Sequence, residues 1–249
     1  MSFAGKTDYR IGRAIVKELH CQGAKIYALS KTQQNLDSLL EELPTNVIPI
    51  CVNLGNWEQT EKALENVECV DVLINCAAFV EVEKLPRNYR EPIRYMNVNV
   101  KAALHLSQIV ARKMIAEGKC GANIGSISGK RAFQNVGVYC TTKAALDMLT
   151  KVMAIELGSH NITVNSVTPA MVDTDLIRNG LIPKGAKVAN VLTDEFTKGF
   201  ETFMASRSIA SKPYIEMKDI VNAVLFLASG ENRQISGTDL SVDAGFLIM

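Results

Sequence analysis

Thr7–Val16 reads TDYRIGRAIV, and the fold turns on what this stretch is. From Ile11 onward the pattern predicts an amphipathic helix, Ile11–Gln22, of the kind that follows a phosphate-binding turn. Between Lys6 and Ile11, however, there is neither the apolar run of a strand nor the glycine cluster of such a turn. The rest of the chain decides whether this helix is read correctly.

Downstream, short apolar runs alternate with helical patterns almost to the end. AKIYAL (Ala24–Leu29), NVIPICV (Asn46–Val52), VDVLIN (Val70–Asn75), ITVNSV (Ile162–Val167) and TDLSVD (Thr238–Asp243) predict strands, and ANIGSI (Ala122–Ile127) a weaker one. The first four are continuous rather than alternating, as strands covered on both faces are. Helical periodicity covers Gln33–Leu43, Trp57–Asn66, Glu91–Glu117, Val138–Leu157 and Lys218–Ala228, and Gly23, Gly118, Gly158 and Gly230 suit C-terminal caps. This order predicts an α/β fold: a doubly wound parallel sheet, Rossmann-like, in a three-layer sandwich with right-handed crossovers. With no linker, repeat or low-complexity segment, residues 1–249 read as one domain.

Composition narrows the function. The chain has 249 residues, 47% of them hydrophobic, and a net charge of +1 with both signs interspersed. That predicts a substantial core and no nucleic-acid or membrane-surface partner. No apolar run reaches the ~18 residues of a membrane span, and no signal-peptide region opens the sequence. A cytoplasmic or organelle-matrix location is expected, not secretion. The six cysteines form no CxxC pair and have no histidine at ligand spacing; they are expected to be reduced and packed as small apolar groups. No metal site is predicted. His20, His105 and His160 are far apart and read as surface or boundary residues. The helix Val138–Leu157 is apolar nearly all round, which predicts that it meets the sheet on one side and another subunit on the other.

Candidate chemistry lies around that helix. Tyr139 and Lys143 stand four apart in VYCTTKAALDML, so both project from one face of its first turns. Ser126, thirteen residues before Tyr139, ends a predicted strand, where open α/β sheets bind ligands. Asn99 lies early on a long helix, and Asn75 ends LIN before small residues. With GRAIVKELHCQGAKIYALSKT, LINCAA, YCTTKAALDMLTKVMAIELG, ITVNSVTPAMVDT, DIVNAVLFLAS and VDAGF in place, the chain resembles the short-chain dehydrogenase/reductase family. Within it, the chain is similar to the dicarbonyl/L-xylulose reductase and tetrameric carbonyl reductase branch, over essentially its whole length.

The resemblance implies an oxidoreductase that passes hydride from a nicotinamide to a carbonyl carbon, with the proton from Tyr139 as general acid. A free tyrosine has a pKa of ~10, and lowering it by about three units takes about 4 kcal/mol of preference for the phenolate. The Lys143 ammonium supplies part of that. Lys143 also resembles the family lysine that holds the nicotinamide ribose. Ser126 would bind the substrate oxygen, and Asn99 would hold a water that relays protons towards Lys143. The cofactor-binding set implied is Ile11, Gly12, Ser30, Lys31, Thr32, Asn53, Leu54, Asn75, Ala77, Tyr139, Lys143, Pro169, Val172 and Thr174. NAD-selective sites carry an acid after the second family strand. Here Ser30-Lys31-Thr32 offers a cation and two hydroxyls, so NADP(H) is expected over NAD(H). The partners implied are a small carbonyl or polyol substrate and further copies of the chain, as a homotetramer.

The pattern also breaks. TDYR stands where the family has its central strand and glycine-rich turn, and of those glycines only Gly12 survives. The first strand thus reads as truncated, which leaves two strands each short of a partner; SFAGKTDY, with Phe3, Gly5, Thr7 and Tyr9 alternating, is a poor substitute. GANIGS is about two residues short ahead of Ser126, and Cys76 replaces the second asparagine of the family's Asn-Asn-Ala. Residues 175–215 are longer than this branch requires. Phe196, Phe200 and Phe203 there fit either an ordinary packed helix or a substrate lid, whose apolar lining would favour hydrophobic or mixed carbonyls. The function expected is therefore NADP(H)-dependent reduction of α-dicarbonyls, L-xylulose or similar carbonyls. The alternative is a catalytically impaired or truncated-isoform relative serving as a structural or binding subunit of an oligomer.

Overall fold

The computed structural model describes residues 10–80, 92–115, 120–124, 129–174, 198–199 and 201–249. In chain order these form α1 (Ile11–Cys21), β1 (Ile26–Ser30), α2 (Gln33–Glu42), β2 (Val47–Cys51), α3 (Trp57–Leu64), β3 (Val72–Asn75) and α4 (Pro92–Met96). A π-helical turn, Asn97–Lys101, leads into α5 (Ala102–Met114), followed by β4 (Cys120–Ile124), α6 (Gly137–Gly158), β5 (Thr163–Pro169), α7 (Met217–Ala228) and β6 (Asp239–Val242). A 3-10 turn, Phe246–Ile248, comes last. All strand pairings are parallel, as an alternation of strands and helices requires.

The strands form two sheets rather than one. β1 pairs with β2, and β3, β4, β5 and β6 follow one another in a second sheet. Among the described residues no strand joins Ile26–Ser30 to Val72–Asn75. The gap falls where the missing apolar run before Ile11 leaves the sheet short. The substitute segment with Phe3, Gly5, Thr7 and Tyr9 lies outside the described residues.

Despite the gap, α1 sits where the periodicity places it, and two sets of contacts hold it. Its apolar face puts Ile15, 2% exposed, into a cluster with Val167 of β5 and Ile220, Val224 and Leu227 of α7, joined by Ile11, Ala14, Leu19 and Ile74. Each such side chain, fully buried, contributes about 1.5–3 kcal/mol. On its other flank Arg13 reaches α2: Nη1 donates to the Asn35 carbonyl (3.2 Å) and Ser38 Oγ (2.9 Å), and Nη2 to the Ser38 carbonyl and Glu42 Oε1 (both 2.7 Å). Gly23, at φ 83°, ends the helix as the sequence predicts. The opposite face of the larger sheet is covered by α5 and α6, where Val110, Met114 and Met153 pack on Ile162 and Val164. Ala28, Leu36, Leu39 and Val47 form a separate cluster beneath α2.

β5 is buried along its whole length, and its Asn165 is paired through both ends of its amide. Asn165 Nδ2 donates to the Ile235 carbonyl at 2.8 Å, and its Oδ1 accepts from the Thr238 N–H at 3.2 Å. β2 differs from expectation: its burial alternates, and Cys51 is exposed, as on a strand covered on one face only. Cys21 and Cys69 are likewise exposed rather than packed. Gly158 does not cap α6; the helix runs through it and reverses at Asn161, whose φ is 59°. His105 is a buried residue rather than a boundary one. It is 3% exposed, and its ring lies edge-on to Trp57 at 4.4 Å. Burial pulls its pKa below the ordinary imidazole value, with Glu61 opposing.

Candidate active site

The parallel register brings the ends of β3 and β5, at Asn75 and Pro169, to one edge, where such sheets bind ligands; β1 ends at Ser30 in the two-stranded sheet. α6 supplies the reactive pair. Lys143 Nζ lies 5.7 Å from the centroid of the Tyr139 ring. Lys143 is 3% exposed, and Tyr139 is half-buried.

The backbone around this pair is fixed by Thr142, which is fully buried. Its hydroxyl donates to the Tyr139 carbonyl (2.8 Å) and accepts from Asn99 Nδ2 (3.0 Å). Asn99, 1% exposed, also donates to the Phe79 carbonyl (2.9 Å) and accepts the Phe79 N–H (2.7 Å). It thus ties α6 to the segment leaving β3. It does so from the π-helical turn, a distortion that re-aims side chains within a helix. Both amide hydrogens of Asn99 are donated within the protein, so the water relay implied by resemblance does not use them. Ser126 lies outside the described residues.

The start of α1 closes on the same edge. A Cβ on Gly12 would lie 3.4 Å from Cys76 Sγ. Burial pushes the Cys76 thiol up to about 11, against the opposing pull of Lys143 and of the Gly12 N–H. Helix start, strand end and Lys143 therefore converge on one spot. The first turn of α1 holds no acidic residue, and its leading N–H groups have no partner within the helix, which suits an anion. At the end of β1, Ser30 Oγ accepts from the Thr32 N–H at 3.2 Å. Lys31 is exposed and makes no ion pair among the described residues. The Gly12 N–H is already given to Cys76 and the Thr32 N–H to Ser30 Oγ, so the residues here that could hold a dinucleotide phosphate are Lys31 and those opening α1. The amides of a glycine-rich turn are not among the described residues.

The remaining predicted positions divide. Asn53 is exposed with its Oδ1 accepting the Gly55 N–H (3.2 Å), and Leu54 beside it is half-buried. Ala77 is exposed just beyond β3. Asn75 is buried and turned towards α5, donating to Ser107 Oγ at 3.2 Å. Pro169 is buried at the end of β5, and Val172 and Thr174 are buried just beyond it, with Val172 bridged to Ile215. Of the suggested lid residues, Phe196 and Phe200 lie outside the described residues. Phe203 is 40% exposed and meets the Phe246 ring edge-on at 6.0 Å, while Met204 is buried with Met171 and Phe246.

The sequence reading missed Gly129, Lys130, Asp147 and Asp239. Lys130 sits between the two carboxylates, against the same helix. The available signal was Asp147 itself, an acid in the otherwise apolar run AALDML.

Residues 8–181 match the model of the short chain dehydrogenase family. The chain is 43% identical to L-xylulose reductase of Mesocricetus auratus, covering 96% of this chain and 92% of that protein. It is 38% identical to carbonyl reductase (NADPH) 2 of Sus scrofa, over 95% and 92% respectively. Among solved structures, 4-hydroxyisoleucine dehydrogenase complexed with NADH superposes with a TM-score of 0.81 at 26% identity, covering 98% of this chain and 97% of the other. The parallel α/β architecture, the tyrosine and lysine one helical turn apart and these matches over nearly the whole length agree: the chain belongs to the short-chain dehydrogenase family.

Proposed function

We propose that this protein is an NADP(H)-dependent reductase of carbonyl compounds, of the class that spans α-dicarbonyls and ketoses such as L-xylulose. The observation that carries the reading is Lys143, buried 5.7 Å from the ring of Tyr139. When bound, the nicotinamide supplies hydride to the carbonyl carbon. Tyr139 delivers the proton to the carbonyl oxygen as negative charge develops there. Lys143 stabilises the phenolate left behind, and Thr142 with Asn99 keeps the helix that bears both in place. Ser126 orients the substrate oxygen on this reading.

Several features support the finer points. Lys31, exposed and without an acidic partner among the described residues, suits a 2′-phosphate, which favours NADP(H) over NAD(H). The Sus scrofa relative's name specifies NADPH. Met148, Val152 and Ile155 on α6 are 59%, 40% and 81% exposed. An apolar stripe of that kind calls for another copy of the chain, in a homotetramer. No helix among the described residues is long and apolar enough to cross a membrane, and we place the enzyme in the cytoplasm or an organelle matrix.

The test is to follow NADPH absorbance with diacetyl, an aromatic diketone and L-xylulose in turn, alongside thermal melting with and without nucleotide. Bound cofactor raises the melting temperature by linkage. Consumption of NADPH with at least one of these carbonyls supports the reading. No melting shift at millimolar NADPH or NADH, with no turnover, supports the impaired-subunit alternative instead.

A further inference from the structure

Three charged side chains that take no direct part in the reaction meet against α6. Lys130 Nζ lies 3.1 Å from Asp147 Oδ2 and also pairs with Asp239 Oδ2. Asp147 is 6% exposed, and its Oδ1 meets no hydrogen-bond donor among the described residues. The other oxygen of Asp239 accepts from the Thr168 hydroxyl on β5. Gly129 makes this approach possible. A Cβ there would stand 2.6 Å from Asp147 Oδ2 and 2.9 Å from the backbone carbonyl carbon of Lys143. The turn lies on α6 between Lys143 and Asp147 because no side chain intervenes.

Two partly desolvated carboxylates against one ammonium are costly, and a fold has no general need of them. Burial raises the Asp147 pKa and Asp239 raises it further, while Lys130 and Lys143 oppose. Partial burial lowers the Lys130 pKa, but Asp239 and Asp147 more than offset it and hold the ammonium above its ordinary value. Tyr139, Lys143 and Asp147 follow at four-residue intervals, so they share one stripe of α6. The charged groups acting on Asp147 are Lys130 from the turn, Lys143 from α6 itself and Asp239 from β6.

We propose that Lys130 is a positioning residue for the carbonyl reduction. Clasped by Asp147 and Asp239, it pins the Gly129–Lys130 turn, just downstream of Ser126 in the chain, onto the helix of Tyr139 and Lys143. It also keeps the two acids from neutralising the field of Lys143. The inference rests on the reading of Tyr139 as proton donor. Asp147 stands two helical turns, about 12 Å, from Tyr139. One unmatched charge at that distance, partly screened, moves a pKa by about half a unit. Its sign is upward, since added negative charge disfavours the phenolate.

Titrating Tyr139 by ultraviolet difference absorbance, wild type minus Y139F, reads this coupling without turnover. K130M is expected to raise the phenolate midpoint by about half a unit, and to lower kcat about tenfold with KM for NADPH little changed. K130R keeps both near wild type, and K130M/D239N returns the midpoint towards it. If K130M does not fold, D239N alone shifts the midpoint downward. An unmoved midpoint in whichever variant folds overturns the proposal, as does a kcat loss that K130R fails to rescue. Turnover indifferent to Y139F would instead sink the reductase reading itself, a result the titration cannot imitate.

Discussion

Gly129→Ala is the smallest change that tests how the turn after Ser126 is set against α6. The added Cβ would lie 2.9 Å from the carbonyl carbon of Lys143 and 3.1 Å from the Ala144 nitrogen. Both are helix backbone and cannot swing aside. Asp147 Oδ2, at 2.6 Å, can rotate only by loosening its pair with Lys130. Reaching ordinary contact moves the turn off the helix by about half an ångström or more, an overpacking cost of about 1–3 kcal/mol. For a domain of this size each kcal/mol lowers Tm by about 2–4 °C, so a fall of about 2–12 °C is expected by scanning fluorimetry. Displacing the turn next to the reacting groups should cut kcat about 10- to 100-fold. KM for NADPH should hold, because the start of α1 and Lys31 are untouched. A variant with wild-type Tm and kcat, or with its defect confined to KM, would refute this account of the turn.

Lys31→Glu should lower kcat/KM for NADPH about 10- to 100-fold, the worth of one charge-assisted contact, and leave NADH kinetics nearly unchanged. Equal losses for both coenzymes would contradict the assigned 2′-phosphate contact. Ile155→Asp, at a position 81% exposed, should reduce the mass seen by light scattering while leaving the thermal melt of the single chain intact. A wild type already monomeric would contradict the subunit contact. The Cys76 thiol, raised from 9.0 to about 11 by burial, keeps its proton in the folded chain after the unfolded chain has released it. The folded state therefore binds more protons between these values. The stability that this contributes is whole below pH ~9 and is lost as pH rises towards ~11. Cys76→Ala should flatten that alkaline fall in chemical denaturation, and an unchanged slope would show that Cys76 is not its source.

Strands β1, β2, β3 and β5 were legible to within a few residues because β-branched and aliphatic residues run together in them, and β6 because Leu240 and Val242 alternate with polar residues. β4, expected over Ala122–Ile127, already begins at Cys120, and residues 125–127 of the expected strand lie outside the described residues. Cys-Gly-Ala-Asn carries little strand propensity, and the register comes from pairing of Cys120 with Thr163 on β5. The long helix predicted over Glu91–Glu117 contains a π-helical turn at Asn97–Lys101, a local change of backbone hydrogen bonding that residue types do not mark. Tyr139 and Lys143 could be paired from spacing alone, because four residues on a helix is a local rule. The Lys130, Asp147 and Asp239 cluster could not, as its members come from a turn, a helix and a strand whose meeting depends on the tertiary fold. His105 was misread for the same reason, with Trp57 and Glu61 arriving from another helix.

The central claim is that Tyr139, beside Lys143, protonates a carbonyl that receives hydride from a bound dinucleotide. Its most direct test is transfer of deuterium from 4-deuterated NADPH to a diketone, followed by mass spectrometry for wild type and Tyr139→Phe. The account predicts one deuterium at the reduced carbon with wild type, and a rate at least about 100-fold lower for the variant under conditions where fluorescence shows NADPH bound. A Tyr139→Phe variant that transfers deuterium as fast as wild type, or a wild type that transfers none, would contradict it.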